Sequence, residues 1–305
     1  MELLLLLLLR GFTRGLNILP YKLRTALVAG LLRVFLAAAP RYRRIALKNL
    51  ALAFPEEGAR RHGEILRQHC HALAQMVVDF LRLPSLDAEW AREHIEFPER
   101  QRLLEACARR PGRGVLLAAG HLGSFELMPF YMAVCETPIG VVVRSFKQPK
   151  LDRWWNHIRE AHGTRTIQRK GALKGILRSL GEGRHVGLLF DQNLVRSSAV
   201  FVDWFGRPAA TTKALGLAAI RTKTPVLVCR IKSTGFDRYR IDVREVECAD
   251  LFADDSADLD LRIRTLTQRA AALFEEYIKD DPAGWFWLHR RWKTTPEGMP
   301  EDFYR

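Results

Sequence analysis

Between residues 115 and 279 the chain alternates short apolar runs with longer stretches of helical period. Runs at 115–119, 139–143, 186–190, 200–204, 226–231 and 239–246 read as strands, and 124–134, 151–161, 172–180, 213–221 and 259–279 read as helices. Alternation at this spacing predicts an α/β fold, a mixed sheet flanked by helices. Gly163 and Gly181 suit helix ends. With 48% hydrophobic residues the chain can build a full core, and no internal repeat or linker divides it. One domain over 41–305 is expected, preceded by a helical segment over 1–40.

Upstream, 41–83 reads as helical with an interruption at Pro55. From 58 to 83, Ile65, Leu66, Leu73, Met76, Val77 and Phe80 share one face, and Pro84 ends the run. His69 and His71 flank Cys70 but lack a third ligand at useful spacing. At the N-terminus, Leu3 to Leu9 is apolar but ends at Arg10, and a second apolar run over 26–39 is broken by Arg33. A spanning helix needs about 20 apolar residues, which neither run supplies. A secretory leader would carry positive charge ahead of its apolar stretch, whereas Glu2 stands there. The expectation is an interfacial anchor with Lys22, Arg24, Arg33, Arg41, Arg43 and Arg44 at the headgroups. A buried helix pair, or one spanning helix over 16–39, remain the alternatives.

The formal net charge of +14 calls for anionic partners: nucleic acid, an anionic membrane surface, acidic protein or phosphorylated substrate. The five cysteines are scattered, with no Cys-x-x-Cys pair, which fits neither a zinc site nor a disulfide framework.

Chemistry concentrates in Gly120-His-Leu-Gly-Ser-Phe-Glu126. A strand stops at Gly120, His121 occupies the following turn, and Ser124 is a candidate N-cap for the next helix. On a continuous helix residues five apart diverge by roughly 140°. A segment bent at its glycines instead lets the His121 imidazole fold back toward the Glu126 carboxylate. Such a carboxylate fixes the tautomer and supports the charge the ring gains on taking a proton. With no serine or cysteine nucleophile motif nearby, the simplest chemistry is a general base acting on a substrate hydroxyl.

Further candidates lie downstream. Arg144 and Lys147 follow a strand in a loop where phosphate could dock. Asp191-Gln192 closes another strand, where functional groups of α/β folds gather; Asp191 is read as positioning an arginine or backbone groups. Phe205-Gly-Arg-Pro-Ala-Ala-Thr-Thr212 reads as a loop entering a helix capped by Thr211 or Thr212, with Arg207 either on an acceptor phosphate or serving the loop. Trp285, Trp287 and Trp292, interleaved with Arg290, Arg291 and Lys293, suit a membrane interface or a packed C-terminal element equally. The chain has no Gly-x4-Gly-Lys-Ser/Thr, Gly-x-Ser-x-Gly, His-Glu-x-x-His or Gly-x-Gly-x-x-Gly motif, so no metal or bound cofactor is called for.

Six pieces in order resemble the bacterial lipid A late acyltransferases, the lauroyl/myristoyl branch of the lysophospholipid acyltransferase superfamily. They are Asn49-Leu-Ala-Leu-Ala-Phe-Pro-Glu56, Gly120 to Glu126, Val143-Arg-Ser-Phe-Lys147, Leu189-Phe-Asp-Gln192, Phe205 to Thr211 and Trp287-Leu-His-Arg-Arg-Trp-Lys293. The likeness spans about 40–297. It implies a glycerolipid acyltransferase-like sheet, with His121 and Glu126 as the His-x4-Asp/Glu pair. It also implies acyl carrier protein as donor and a lipid A precursor as acceptor, at the cytoplasmic face of the inner membrane. Arg159 matches an arginine the family places in its active site; the competing reading is a surface ion pair. After Arg144 the chain reads Ser-Phe-Lys-Gln-Pro where many members carry a Pro-Met-Lys-Asn-Pro-like run. The alternatives are the same chemistry on an ornithine lipid, aryl polyene or mannosylated phosphoinositide, with acyl-coenzyme A as possible donor, and a non-catalytic basic protein on membrane or nucleic acid. A binding module has no use for His121 and Glu126, so no nucleic-acid partner is expected.

Overall fold

The computed structural model describes residues 2–253, 256–299 and 303–304. Its helices are α1 (Glu2–Ile18), α2 (Tyr21–Ala38), α3 (Pro40–Ala53), α4 (Ala59–Arg82), α5 (Ala88–His94), α6 (Arg100–Ala108), α7 (Leu127–Cys135), α8 (Pro149–Glu160), α9 (Ala172–Gly181), α10 (Ala214–Thr222), α11 (Ala249–Ala253) and α12 (Leu259–Asp280). The strands are β1 (Ile95–Glu96), β2 (Leu116–Ala119), β3 (Ile139–Val143), β4 (Arg165–Gln168), β5 (His185–Leu189), β6 (Ala199–Trp204), β7 (Arg207–Thr212), β8 (Val226–Gly235) and β9 (Arg238–Glu245). Seven of them form one sheet in the order β1-β9-β8-β2-β5-β3-β4, while β6 and β7 make a separate antiparallel hairpin. The sheet is parallel except where β9 runs against β8.

Successive side chains of a strand point to opposite faces, and here both faces are covered. Leu116, Ala118, Val186, Leu188, Val226 and Val228 enter one core with residues of α9, α10 and α12. Val115, Leu117, Ile139, Leu227, Cys229 and Ile231 enter the other, with residues of α4, α5, α6 and α7. Parallel strands buried on both sides must be apolar throughout, which is why these runs stand out in the sequence. Edge strand β4, Arg-Thr-Ile-Gln, has exposed ends and escapes that signal.

Two expectations need correction. Residues 207–212 are strand β7, paired with β6 from Trp204↔Arg207 to Ala199↔Thr212, and not a loop entering a helix. Thr212 Oγ1 does accept the Ala214 N–H at the start of α10. The C-terminal tryptophans lie in irregular chain, yet Trp285, Trp287 and Trp292 are buried, so packing is the reading that holds for them.

At the N-terminus the chain breaks between Ile18 and Tyr21 at Pro20, so 16–39 is not one helix. Among the described residues no single helix is long and apolar enough to cross a membrane; α2 and α3 together reach that length but meet at 97°. Helix α2 packs on α4, and α1 touches α8, where Glu2 Oε1 accepts the Lys150 N–H at 2.6 Å. Leu3, Leu4, Leu7, Leu8 and Phe12 of α1 and Leu23, Leu27, Leu31 and Val34 of α2 stay exposed.

Two buried histidines give the fold an acid sensitivity. His185 Nδ1 accepts the Val115 N–H, and His69 donates from Nδ1 to the Ala283 carbonyl while its Nε2 is buried without a partner. Burial pushes both rings down to about 4. The unfolded chain takes these protons near pH 6.5, so stability is full above that and falls as pH drops from 6.5 to 4. The loss is on the order of 3 kcal/mol per ring. Thermal melts between pH 7.5 and 4.5 should show this fall, and H69Q should make it shallower; an unchanged slope would refute the assignment.

Candidate active site

Strand register brings the central pair together. Ala119 of β2 lies opposite Leu189 of β5, and the Phe190 N–H donates to the Ala119 carbonyl, so the chains leave the sheet side by side. Two residues beyond each stand His121 and Asp191. His121 Nδ1–H donates to Asp191 Oδ1 at 2.8 Å, and the His121 backbone N–H donates to Oδ2 at 2.9 Å. Trp285 Nε1–H gives a third bond, also 2.9 Å, to Oδ2. Asp191 is 3% exposed. Burial alone would raise its carboxyl, but the His121 ring, the two further donors and their fields outweigh it and hold the group at about 2. With Nδ1 turned to Asp191, the other ring nitrogen, Nε2, faces away from the carboxylate. The amide nitrogen of Gln192 lies 3.3 Å from that atom, and 23% of the His121 side chain is exposed.

Small residues make this approach possible. A Cβ on Gly120 would lie 2.3 Å from the Phe274 ring and 2.9 Å from Asp191 Cγ. Gly123 has φ +61°, and a Cβ there would meet the Ile231 carbonyl at 2.3 Å. The C-terminal chain closes over the turn: Phe286 N–H donates to the His121 carbonyl and Gly123 N–H to the Gly284 carbonyl. Buried Asn49 of α3 holds that chain by donating to the Trp287 and His289 carbonyls. His289 Nε2 in turn accepts the Asn193 N–H at 2.9 Å, which fixes the residue after Gln192. Burial pushes His289 down to about 4 and so keeps it neutral.

Glu126 is not the carboxylate that holds His121. Helix α7 begins only at Leu127, and Ser124 does not cap it through its side chain; the Ser124 hydroxyl donates instead to Asp79 of α4. The extra turn swings Glu126 away to Arg159 of α8, whose Nε and Nη2 both donate to it, Nε at 3.0 and 3.1 Å. The Glu126 and Arg159 side chains are 9% and 17% exposed. The ion pair that Arg159 makes is thus a sheltered one with Glu126, not a surface pair with Glu160 or Asp152. Asp79 is itself buried under Arg82, Tyr21 and Tyr239, and thereby ties the turn to α4.

The remaining candidates scatter. Arg144 and Lys147 are exposed in the loop between β3 and α8, with no hydrogen-bond or ion-pair partner among the described residues. Arg207 donates to the Leu52 carbonyl at 3.3 Å and lies over the Phe303 ring, so it braces the β6–β7 hairpin against α3. Sequence reading missed His289, Trp285 and Asn49 as supports of the site. The ordered motifs 49–56 and 287–293 contained two of them, but nothing in their spacing says that they meet.

The model of the family described as bacterial lipid A biosynthesis acyltransferase matches residues 3–294. The chain belongs to that family. It is 26% identical to the lipid A biosynthesis lauroyltransferase of Escherichia coli (strain K12), over 93% of this chain and 90% of that protein. To the lipid A biosynthesis myristoyltransferase of the same organism it is 24% identical, over 95% of this chain and 87% of the relative. The palmitoleoyltransferase of the same strain is 23% identical, over 83% of this chain and 79% of its own. Acyl transfer is the chemistry these relatives share, so the chain is read as an acyltransferase of the lipid A biosynthesis family.

The separation of the two carboxylates is testable in stability alone. R159A strands a sheltered Glu126 and should cost on the order of 3 kcal/mol. E126A with R159A should cost well below the sum of the single changes, because one interaction is lost once. Additive losses in a urea-denaturation cycle would show that the pair does not act as a unit.

Proposed function

We propose that this protein moves a fatty acyl chain from the thioester of acyl carrier protein to a hydroxyl of a lipid A precursor at a membrane surface. The observation that carries the reading is the His121–Asp191 pair, whose geometry leaves one basic nitrogen facing outward beside a sheltered carboxylate. His121 Nε2 takes the acceptor hydroxyl proton as the oxygen attacks the thioester carbonyl, and Asp191 supports the imidazolium that forms. The thiolate leaving group then recovers that proton. Asp191 is thus a positioning residue, and Glu126 with Arg159 shapes the wall behind the turn.

The unpaired Arg144 and Lys147 suit the phosphates of such an acceptor. The exposed leucines of α1 and α2 suit a lipid surface, and the basic chain suits both anionic lipid and an acidic carrier protein. Localisation to the cytoplasmic face of the inner membrane belongs to the same proposal.

H121A should abolish transfer from lauroyl-acyl carrier protein to a purified lipid A precursor, read by mass spectrometry, and should lower the melting temperature without unfolding the protein, because buried Asp191 loses one of its three donors. D191N should lower turnover by about 10²–10⁴, and E126Q by much less. Near-wild-type turnover in D191N, or a larger loss in E126Q, would return the orienting role to Glu126.

Attachment is tested separately. L4E with L8E should release the protein from vesicles containing phosphatidylglycerol in a flotation assay, and wild-type binding should weaken with salt. Undiminished flotation of the double variant would place the anchor elsewhere.

A further inference from the structure

The proposed transfer passes through a tetrahedral intermediate whose carbonyl oxygen becomes negative, and that charge needs hydrogen-bond donors. Around His121 several donors are already engaged. Arg159 has two of its nitrogens on Glu126. The backbone N–H groups from 121 to 123 are all engaged: His121 with Asp191, Leu122 with the Gly120 carbonyl and Gly123 with the Gly284 carbonyl. The Asn193 N–H is held by His289 and the Phe286 N–H by the His121 carbonyl. Directly beside the base lies the carboxamide of Gln192, its nitrogen 3.3 Å from His121 Nε2.

That carboxamide also stands where the acceptor must come. A hydroxyl that gives its proton to Nε2 has to approach within about 3 Å, and the Gln192 amide nitrogen holds that space at 3.3 Å. Its backbone is pinned on both sides. Asp191 is gripped by three donors, and Asn193 is tied through its N–H to His289 and through its side chain to Thr294. Only the side chain can yield.

We propose that Gln192 is a catalytic residue with two successive partners. In the resting protein its N–H caps His121 Nε2. The acceptor hydroxyl displaces it, and the freed amide turns to the thioester carbonyl oxygen, two bonds from the attacking atom. The hydroxyl oxygen then bonds to the carbonyl carbon, its proton passes to Nε2, and the carbonyl π pair becomes the oxyanion that Gln192 holds. Collapse restores the carbonyl, breaks the carbon–sulfur bond and sends the electron pair to sulfur, which takes the proton from Nε2. Ester and thiol are the products, and His121 is neutral again for Gln192 to cap.

The inference rests on the acyl-transfer reading, and its test separates the two. Wild type, Q192M and Q192E are compared with lauroyl-acyl carrier protein and a lipid A precursor, with thermal melts as the check on folding. Methionine keeps the length without donors, and glutamate replaces the donor with acceptor oxygens. Both variants should lose about 10²–10³ in kcat, with KM for either substrate within three-fold of wild type. In nitrogen-15 NMR of the resting protein, the His121 Nε2 resonance should move in Q192M while Nδ1 does not. The proposal is overturned if Q192M, melting as wild type, keeps kcat within three-fold, or if only KM rises, which would make Gln192 a binding group. Wild-type protein that transfers nothing would overturn the acyl-transfer reading, and this proposal with it.

Discussion

A carboxylate with no access to water must have its donors supplied by the protein, and Asp191 sets the terms for the rest of the site. Three donors meet its two oxygens: a backbone N–H and an imidazole from the turn after β2, and an indole from the C-terminal chain. Each is held in turn. Gly120 lets the turn approach, Trp285 is packed between Trp204 and Trp287, and Asn49 binds the strap that carries Trp285. Loss of any support leaves a buried charge short of a partner, which is costly in a low-dielectric interior. The arrangement fixes the tautomer of His121 as a by-product of satisfying Asp191.

Charges sheltered elsewhere in the molecule are kept apart from this one. Glu126 is neutralised by Arg159, and Asp79 by Arg82, which also reaches Asp237. Both pairs sit behind the turn that carries His121, and Ser124 joins one of them to it. The turn is therefore held from behind by α4 and α8 and from the front by the strap. Beside His121 Nε2 lies the side chain of Gln192.

The central sheet was legible because strands covered on both faces leave uninterrupted apolar runs, as in 115–119 and 186–190. β4 was not, since an edge strand with exposed ends carries no such run, and β7 was hidden by Pro208 and small residues. His121 was found from its turn chemistry. Its true carboxylate was not, because contiguity in sequence favoured Glu126, five residues on, over Asp191, which becomes a neighbour only through the pairing of β2 with β5. Arg159 and Glu126 were both singled out, yet their mutual bond depends on where α7 begins, and a boundary error of three residues turns a side chain to another face. Asn49 and His289 grip backbone atoms with their side chains and Trp285 acts through its indole, contacts that no spacing in the sequence joins.

The groups gathered at Asp191 come from chain segments separated by 70 and 94 residues. Contacts of such span form only after the intervening loops have closed, and that closure is entropically opposed. During synthesis the chain emerges from its N-terminus, so β2, β5 and the exposed leucines of α1 all exist before Trp285 does. A nascent chain thus acquires its greasy surface well before it acquires an oriented histidine. The histidine is held by its full set of supports only in molecules translated at least as far as Trp285.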